Sequence, residues 1–181
     1  MQAILLDRDG VINHERAGYV KSWQEFEFLP GALSALQRLA TLNVPILVIT
    51  NQSAIGRGIV PLERVTAIHE QLHKAVTDTG GRIDAFFVCP HHPADGCFCR
   101  KPKPGLLLQA AQQFGFMLEQ AIFIGDAITD FEAANAAGCQ AILVQSGRQG
   151  MSLEQLLVGV PLPPLIVADL AAAVDFLLRS A

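Results

Sequence analysis

Short apolar runs alternate with segments of helical periodicity along the chain, and this alternation constrains the fold more than any other feature. The apolar runs are those expected of buried strands and cover residues 3–6, 45–50, 85–88, 121–124, 141–144 and 165–167. Between them, apolar residues recur three and four apart and predict helices over residues 31–42, 62–79, 103–114, 130–137 and 169–178. Strands that alternate with helices in this way indicate right-handed crossovers. The sequence therefore predicts an α/β fold with a doubly wound, Rossmann-like parallel sheet.

Length and composition favour one domain. The chain has 181 residues, of which 51% are hydrophobic and 17% are charged, enough for one substantial core with little room for a second. Only about twenty residues separate Gly10 from the first helix, which is too few for an inserted cap domain. Residues 147–164 are predicted to form a loop with a short helix. We predict a single domain over residues 1–181 with no large cap.

Charge and hydropathy exclude several classes of protein. The N-terminal sequence lacks the pattern of a signal peptide, and no apolar run reaches the roughly eighteen residues of a membrane span. The formal net charge of -4 gives no basic face for DNA or RNA. We therefore expect a cytoplasmic monomer with no nucleic-acid or membrane partner.

Two carboxylates follow the first predicted strand, in the segment Asp7-Arg8-Asp9-Gly10. On an extended backbone, residues i and i+2 face the same side, which places Asp7 and Asp9 in one site and points Arg8 away from it. An aspartate can attack phosphorus to form an acyl phosphate, and a neighbouring carboxyl can protonate the leaving alcohol and then deprotonate water. The segment thus predicts Asp7 as nucleophile and Asp9 as general acid and base. The alternative is that both are only turn and helix-cap residues.

Polar residues also follow two other predicted strands, with Thr50-Asn51-Gln52-Ser53 after the second and Asp126 after the fourth. Because parallel sheets bind ligands at the carboxyl ends of their strands, we expect these residues to share one edge with Asp7 and Asp9. A carboxylate can approach a phosphate dianion only if charge is neutralised nearby. We therefore predict a Mg²⁺ site formed by Asp7, the Asp9 carbonyl and Asp126, with Lys101 as the positive side chain.

Soft metal ligands are concentrated between residues 89 and 99. A Cys-x-His pair and a Cys-x-Cys pair are separated by five residues, and this spacing predicts one tetrahedral Zn²⁺ held by Cys89, His91, Cys97 and Cys99. Four protein ligands leave no open position, so the zinc is predicted to be structural. It would fix a loop over about residues 89–105 and place Arg100 and Lys101 over the site. The alternatives are His92 in place of His91, a redox cluster, or unliganded thiols.

Several other residues receive structural predictions. His69 and His73, one helical turn apart, are predicted to lie on a solvated helix face. Cys139 is predicted to be buried. Tyr19 and Trp23 either pack the loop after the first strand onto the domain or contact the substrate.

The polar segments together resemble the four motifs of the haloacid dehalogenase superfamily of phosphotransferases. The matching positions are residues 7–10 for Asp-x-Asp-Gly, Thr50 for the second motif, Lys101 for the third, and Asp126 with Asp130 for the fourth. This resemblance implies a haloacid dehalogenase-like fold in which Asp7 is the nucleophile and Asp9 the general acid and base. It also implies that Thr50 and Asn51 donate to phosphate, that Lys101 clamps the charge and that Asp126 binds magnesium. Asp130 is either a first-turn helix acid or an outer partner of the metal's waters.

Within that superfamily, residues 1–145, including the zinc loop, are similar to the heptose-bisphosphate phosphatases and the related histidinol-phosphate phosphatases. The likeness implies hydrolysis of the 7-phosphate of D-glycero-D-manno-heptose 1,7-bisphosphate, in lipopolysaccharide core synthesis. Histidinol phosphate, of histidine biosynthesis, is the alternative substrate. The residues expected to bind substrate and phosphate are Thr50, Asn51, Gln52, Ser53, Arg57 and Arg100. A phospho-accepting receiver and a zinc-loop interaction module are the non-enzymatic alternatives.

Overall fold

A computed structural model describes residues 1–147, 153, 157–158 and 163–180 of the chain. The strands are β1 (Ala3–Leu6), β2 (Ile46–Asn51), β3 (Ala85–Cys89), β4 (Ala121–Gly125), β5 (Gln140–Val144) and β6 (Leu165–Val167). The helices are α1 (Ala32–Leu39), α2 (Ser53–Gly56), α3 (Leu62–Asp78), α4 (Gly105–Phe114), α5 (Ile128–Ala137) and α6 (Leu170–Ser180). Short 3₁₀ turns cover Trp23–Glu25, Pro93–Asp95 and Leu118–Gln120.

The strands form one parallel sheet in the order β3-β2-β1-β4-β5-β6. The order reverses at β1, which pairs with β2 on one side and β4 on the other, so their carboxyl ends meet at one edge. Ligands bind at such a reversal in doubly wound sheets. The topology therefore positions the candidate site where β1, β2 and β4 end.

Both faces of the sheet are covered by helices, which explains why its strands are largely apolar on both faces. Successive residues of β1 alternate between the two cores, with Leu6 in one and Leu5 in the other. Leu36 of α1 and Leu72 of α3 pack in the first core, and Leu107 of α4 packs in the second. The predicted doubly wound α/β fold is confirmed, and within the described residues only loops and one 3₁₀ turn connect β1 to α1.

The predicted strands and helices are all present, with boundaries shifted by a few residues. The short helix α2 was not predicted, because four residues are too few to show a helical period. Helix α5 begins two residues before the predicted start at residue 130. Most of the predicted loop and short helix over residues 147–164 lies outside the described residues.

Aromatic side chains pack the connection between β1 and α1 onto the domain. Trp23 stacks on Phe26 with ring centroids 5.0 Å apart, and Phe28 meets both rings edge-on. This contact identifies Trp23 as a packing residue, whereas Tyr19 lines the candidate site. Cys139 is buried, as predicted. Among the described residues, no helix is long and apolar enough to cross a membrane.

Candidate active site

The residues at the ends of β1, β2 and β4 surround one cavity of about 350 Å³, as the topology predicts. The predicted site residues that line it are Asp7, Asp9, Thr50, Asn51, Gln52, Ser53, Arg100, Lys101, Asp126 and Asp130. Residues of the connection between β1 and α1 add Glu15, Arg16 and Tyr19 to the lining. Arg57 is not among the lining residues and lies exposed just after α2.

A buried ammonium group connects three parts of this site. Lys101 Nζ lies 3.0 Å from Asp7 Oδ1 and 2.6 Å from Asp130 Oδ1, and it donates to the carbonyl of Ile49 at 3.0 Å. Burial opposes the charge on Lys101, but Asp130 and Asp7 raise its pKa above the ordinary value. Asn51 holds the backbone of Lys101, accepting from its N–H at 3.2 Å and donating to its carbonyl at 3.1 Å. Lys101 is therefore fixed as a cation.

Asp130 fastens the start of α5 to this lysine. Its Oδ2 accepts hydrogen bonds from the backbone N–H groups of Asp126 at 3.1 Å and Ala127 at 3.0 Å, while Oδ1 faces Lys101. A side chain at Gly125 would place its Cβ only 2.4 Å from Asp130, so this close approach requires glycine. Asp130 thus acts both as a first-turn acid and as the residue that positions the backbone of Asp126.

Three buried carboxylates, those of Asp7, Asp126 and Asp130, have oxygen atoms within 4.8 Å of one another. Burial raises the pKa of Asp7 to about 7, with Lys101 opposing and Asp130 adding to the rise. Burial and the neighbouring charge of Asp7 raise the pKa of Asp126 to about 8. An all-oxygen set of this kind suits a hard divalent cation such as Mg²⁺. Since both oxygens of Asp130 face N–H donors, Asp7 and Asp126 are the carboxylates that fit such an ion.

The surroundings of Asp9 differ from those of Asp7. Arg8 Nη2 donates to both Asp9 carboxylate oxygens at 2.8 and 2.9 Å, Asn13 Nδ2 donates at 2.9 Å and Gln52 Nε2 at 2.8 Å. Desolvation alone would raise the pKa of Asp9, but Arg8 and the hydrogen bonds lower it.

The prediction that Arg8 points away from the site was wrong, because Arg8 is one of the cavity-lining residues and its guanidinium pairs with Asp9. Strand alternation applies only where the backbone is extended. Asp9 lies beyond the end of β1, where the chain turns at Gly10 with φ of +84°.

The amide of Gln52, predicted to bind phosphate, donates both to Asp9 and to Thr50 Oγ1 at 2.9 Å. Together with the two contacts of Asn51 to the backbone of Lys101, this means that the polar residues at the end of β2 hold other site residues in place. Thr50 and Ser53 are buried at the cavity wall.

His69 is a residue that the sequence reasoning misplaced. It is buried, stacks on Phe86 at a centroid distance of 4.6 Å and an angle of 8°, and lies 3.1 Å from Arg8 Nη1 through Nε2. Burial and the charge of Arg8 lower its pKa to about 3. The predicted solvated face is confirmed only for His73, which is exposed. The helical periodicity of the sequence could have indicated that His69 is buried, because it lies on the same face of α3 as the buried residues Val65, Ile68, Leu72 and Val76.

The predicted zinc loop brings its four ligands together. The three sulfur–sulfur distances among Cys89, Cys97 and Cys99 are 3.4, 3.5 and 3.6 Å, and His91 Nδ1 lies 3.1 Å from Cys99 Sγ and 3.7 Å from Cys89 Sγ. A tetrahedron with metal–sulfur bonds of about 2.3 Å has edges of roughly 3.8 Å, close to these values. The donors therefore fit one tetrahedral ion. His92 is not part of the set, because its Nδ1 accepts from the N–H of Ala94 and caps a 3₁₀ turn.

Comparison with known proteins identifies the family. Residues 98–173 match the family model described as HAD-hydrolase-like. Over 181 residues, covering both proteins completely, the chain is 41% identical to the D-glycero-beta-D-manno-heptose-1,7-bisphosphate 7-phosphatase of Bordetella bronchiseptica. The chain belongs to the heptose-bisphosphate phosphatase family of haloacid dehalogenase-like hydrolases.

One further relative and one solved structure extend the comparison. The D-glycero-alpha-D-manno-heptose-1,7-bisphosphate 7-phosphatase of Mycobacterium bovis is 39% identical over 154 residues, 81% of each protein. The crystal structure of the D,D-heptose 1,7-bisphosphate phosphatase from B. bronchiseptica, complexed with magnesium and phosphate, matches with a TM-score of 0.91 at 40% identity. That match covers all of both chains, so the shared fold includes every predicted site segment.

Replacing Asp126 with Asn is predicted to stabilise the metal-free protein at pH 8 but not at pH 4. The Asp126 pKa is about 8 when folded against an ordinary value of 3.8, so the folded state retains a proton that the unfolded state releases. The resulting stability is fully present below about pH 4 and is lost as pH rises through 8. The measurement is the melting temperature of Asp126→Asn relative to wild type in EDTA at both pH values, with the exposed Asp78→Asn as control. An equal change in melting temperature at pH 4 and pH 8 would contradict the prediction.

Proposed function

We propose that the chain is a magnesium-dependent phosphatase that hydrolyses the 7-phosphate of D-glycero-D-manno-heptose 1,7-bisphosphate through an aspartyl-phosphate on Asp7. The observation that supports this most is the convergence of Asp7, Asp9, Lys101 and Asp126 in one cavity at the sheet edge. The similar heptose-bisphosphate phosphatases agree with this substrate. We further propose that the enzyme acts as a cytoplasmic monomer in the synthesis of lipopolysaccharide core precursors.

Asp7 and Asp9 divide the chemistry between them. A carboxylate oxygen of Asp7 attacks phosphorus, the ester P–O bond breaks, and Asp9 gives its proton to the departing sugar oxygen. Asp9 then takes a proton from water as the water oxygen attacks phosphorus, and the acyl phosphate cleaves to regenerate Asp7. Lys101, ion-paired with Asp7 at 3.0 Å, supplies positive charge beside the reacting phosphoryl group.

The metal site of this proposal consists of Asp7, Asp126 and the backbone carbonyl of Asp9. A bound Mg²⁺ would neutralise phosphate charge and lower the repulsion between phosphate and Asp7. The oxygen-only donor set supports magnesium, as does the magnesium in the B. bronchiseptica structure. Asp130 acts beside this set by holding the backbone of Asp126.

Phosphate recognition is assigned to Thr50 and Ser53, which lie buried at the cavity wall. Arg100 and Arg16 line the same cavity and add positive charge that suits the second phosphate of a bisphosphate. Arg16 was not a predicted site residue. Because the relative matched over the full length acts on the beta anomer, we propose the beta anomer as substrate.

Replacing Asp7 with Asn is expected to abolish phosphate release, with kcat falling at least about a thousandfold, because the amide cannot attack phosphorus. The measurement is magnesium-dependent phosphate release from both anomers of the heptose bisphosphate, from histidinol phosphate and from 4-nitrophenyl phosphate. The exposed Asp78→Asn serves as a matched control that retains activity. Preference for histidinol phosphate would overturn the proposed substrate assignment, and full activity of Asp7→Asn would overturn the proposed mechanism.

We also propose that the ion in the cysteine loop is a structural Zn²⁺, which fixes the segment that leads to Arg100 and Lys101. Cys97→Ser is expected to lose the bound zinc, lower the melting temperature and reduce kcat/KM, since the loop would no longer hold these cations in place. Metal content is measured by mass spectrometry together with thermal unfolding. Cys139→Ser is the control that retains zinc, because Cys139 is buried against the Ala121 carbonyl at the start of β4 and is not one of the clustered ligands. Stoichiometric zinc in the Cys97 variant would refute this assignment.

A further inference from the structure

A buried histidine of α3 reaches the candidate acid and base of the reaction through a single arginine. His69 Nε2 lies 3.1 Å from Arg8 Nη1, and Arg8 Nη2 lies 2.8 and 2.9 Å from the two oxygens of Asp9. His69 and Arg8 are 6% and 1% exposed, so water cannot easily substitute for either contact. Within the described residues, direct side-chain contacts therefore connect His69 of α3 to Asp9 at the cavity.

The pairing of Arg8 with Asp9 needs a second anchor. Both contacts to Asp9 come from one guanidinium nitrogen, Nη2, and not from the two nitrogens of a parallel fork. A guanidinium held through one nitrogen can pivot about that atom. Among the described residues, Arg8 Nε has no hydrogen-bond partner, and the ring of Phe26 lies 6.0 Å from the guanidinium carbon. The contact of Nη1 with His69 is thus the interaction that fixes the guanidinium plane.

His69 is suited to accept this hydrogen bond. Burial and the neighbouring Arg8 hold its pKa at about 3, so the ring is neutral at physiological pH. A neutral imidazole with its proton on Nδ1 offers Nε2 as an acceptor. The stack on Phe86 at 8° sets the ring plane. The ring held in this plane presents Nε2 to Arg8 Nη1 at 3.1 Å.

We propose that His69 is a positioning residue of the phosphatase: acting through Arg8, it holds the Asp9 carboxyl where it can pass its proton to the departing sugar oxygen. This inference rests on the function proposed above, in which Asp9 is the general acid. His69 touches neither the reacting atoms nor the metal site.

The test uses a leaving-group comparison. A sugar oxygen leaves only when protonated, whereas 4-nitrophenolate leaves without a proton. Misplacement of the Asp9 carboxyl therefore slows cleavage of the sugar phosphate but not of 4-nitrophenyl phosphate. Since kcat/KM reports the steps up to release of the alcohol, it isolates this proton transfer from the later attack of water. The variants are His69→Phe, which retains an aromatic ring on Phe86 but not the acceptor, and His69→Gln, which restores an acceptor oxygen.

For His69→Phe, kcat/KM for the heptose bisphosphate is expected to fall about tenfold, with less than a twofold change for 4-nitrophenyl phosphate. His69→Gln should regain most of the loss. The exposed His73→Phe, one turn along the same helix, should match the wild type on both substrates. An equal fall on both substrates, or no fall on either, would overturn the proposal. Should His69→Phe not fold, His69→Leu against His69→Gln makes the same comparison.

The Asp9→Asn background separates this inference from the function on which it rests. If His69 acts through Asp9, adding His69→Phe to Asp9→Asn leaves the residual kcat/KM unchanged, whereas a general structural role lowers it again. Full activity of Asp9→Asn on the heptose bisphosphate would refute the proposed mechanism itself. Loss in Asp9→Asn, with a further loss in the double variant, would refute only the role of His69.

Discussion

The site depends on one buried cation. Lys101 is enclosed at the edge of the sheet with Asp7 at 3.0 Å and Asp130 at 2.6 Å, and it is the ion pair that makes burial of these carboxylates tolerable. Because Asp7 follows β1, Asp130 belongs to α5 and the carbonyl that accepts from Lys101 Nζ is that of Ile49 in β2, the same ammonium contacts three separate segments. The loss of this charge would leave uncompensated carboxylates and also release the backbone that carries Asp126.

The two carboxylates proposed for catalysis, Asp7 and Asp9, occupy opposite electrostatic surroundings. In the protein alone, burial raises the pKa of Asp7, while Arg8 and the hydrogen bonds lower that of Asp9. The reaction needs the reverse, an ionised nucleophile and a protonated acid. A divalent cation beside Asp7 favours its charged form, and a phosphate dianion beside Asp9 favours the neutral form. The complete site is therefore expected to reach its working protonation states only when metal and substrate are both bound.

Much of the fold and of the candidate site could be predicted from the sequence because topology determines them. Strands with apolar residues on both faces have to be covered by helices, and parallel strands bring their carboxyl ends to one edge. The shared position of Asp7, Thr50 and Asp126 at the sheet edge follows from this rule. The spacing of the cysteines and His91 predicted the clustering of the four candidate metal ligands. The pairing of Arg8 with Asp9 could not be predicted from strand alternation, because Asp9 lies beyond the end of β1, next to the turn at Gly10. The burial of His69 was missed although its spacing from Val65, Ile68, Leu72 and Val76 places it on the buried face of α3.

The most direct test of the account is to trap the phosphoenzyme. In Asp9→Asn, 4-nitrophenyl phosphate labelled with phosphorus-32 should still react, because its leaving group departs without an acid, but hydrolysis of the acyl phosphate should slow. After rapid acid quench, we expect label in proportion to protein on the peptide that contains Asp7, and none when Asp7→Asn is added. Turnover without labelled protein, or label on another residue, would contradict an aspartyl-phosphate on Asp7.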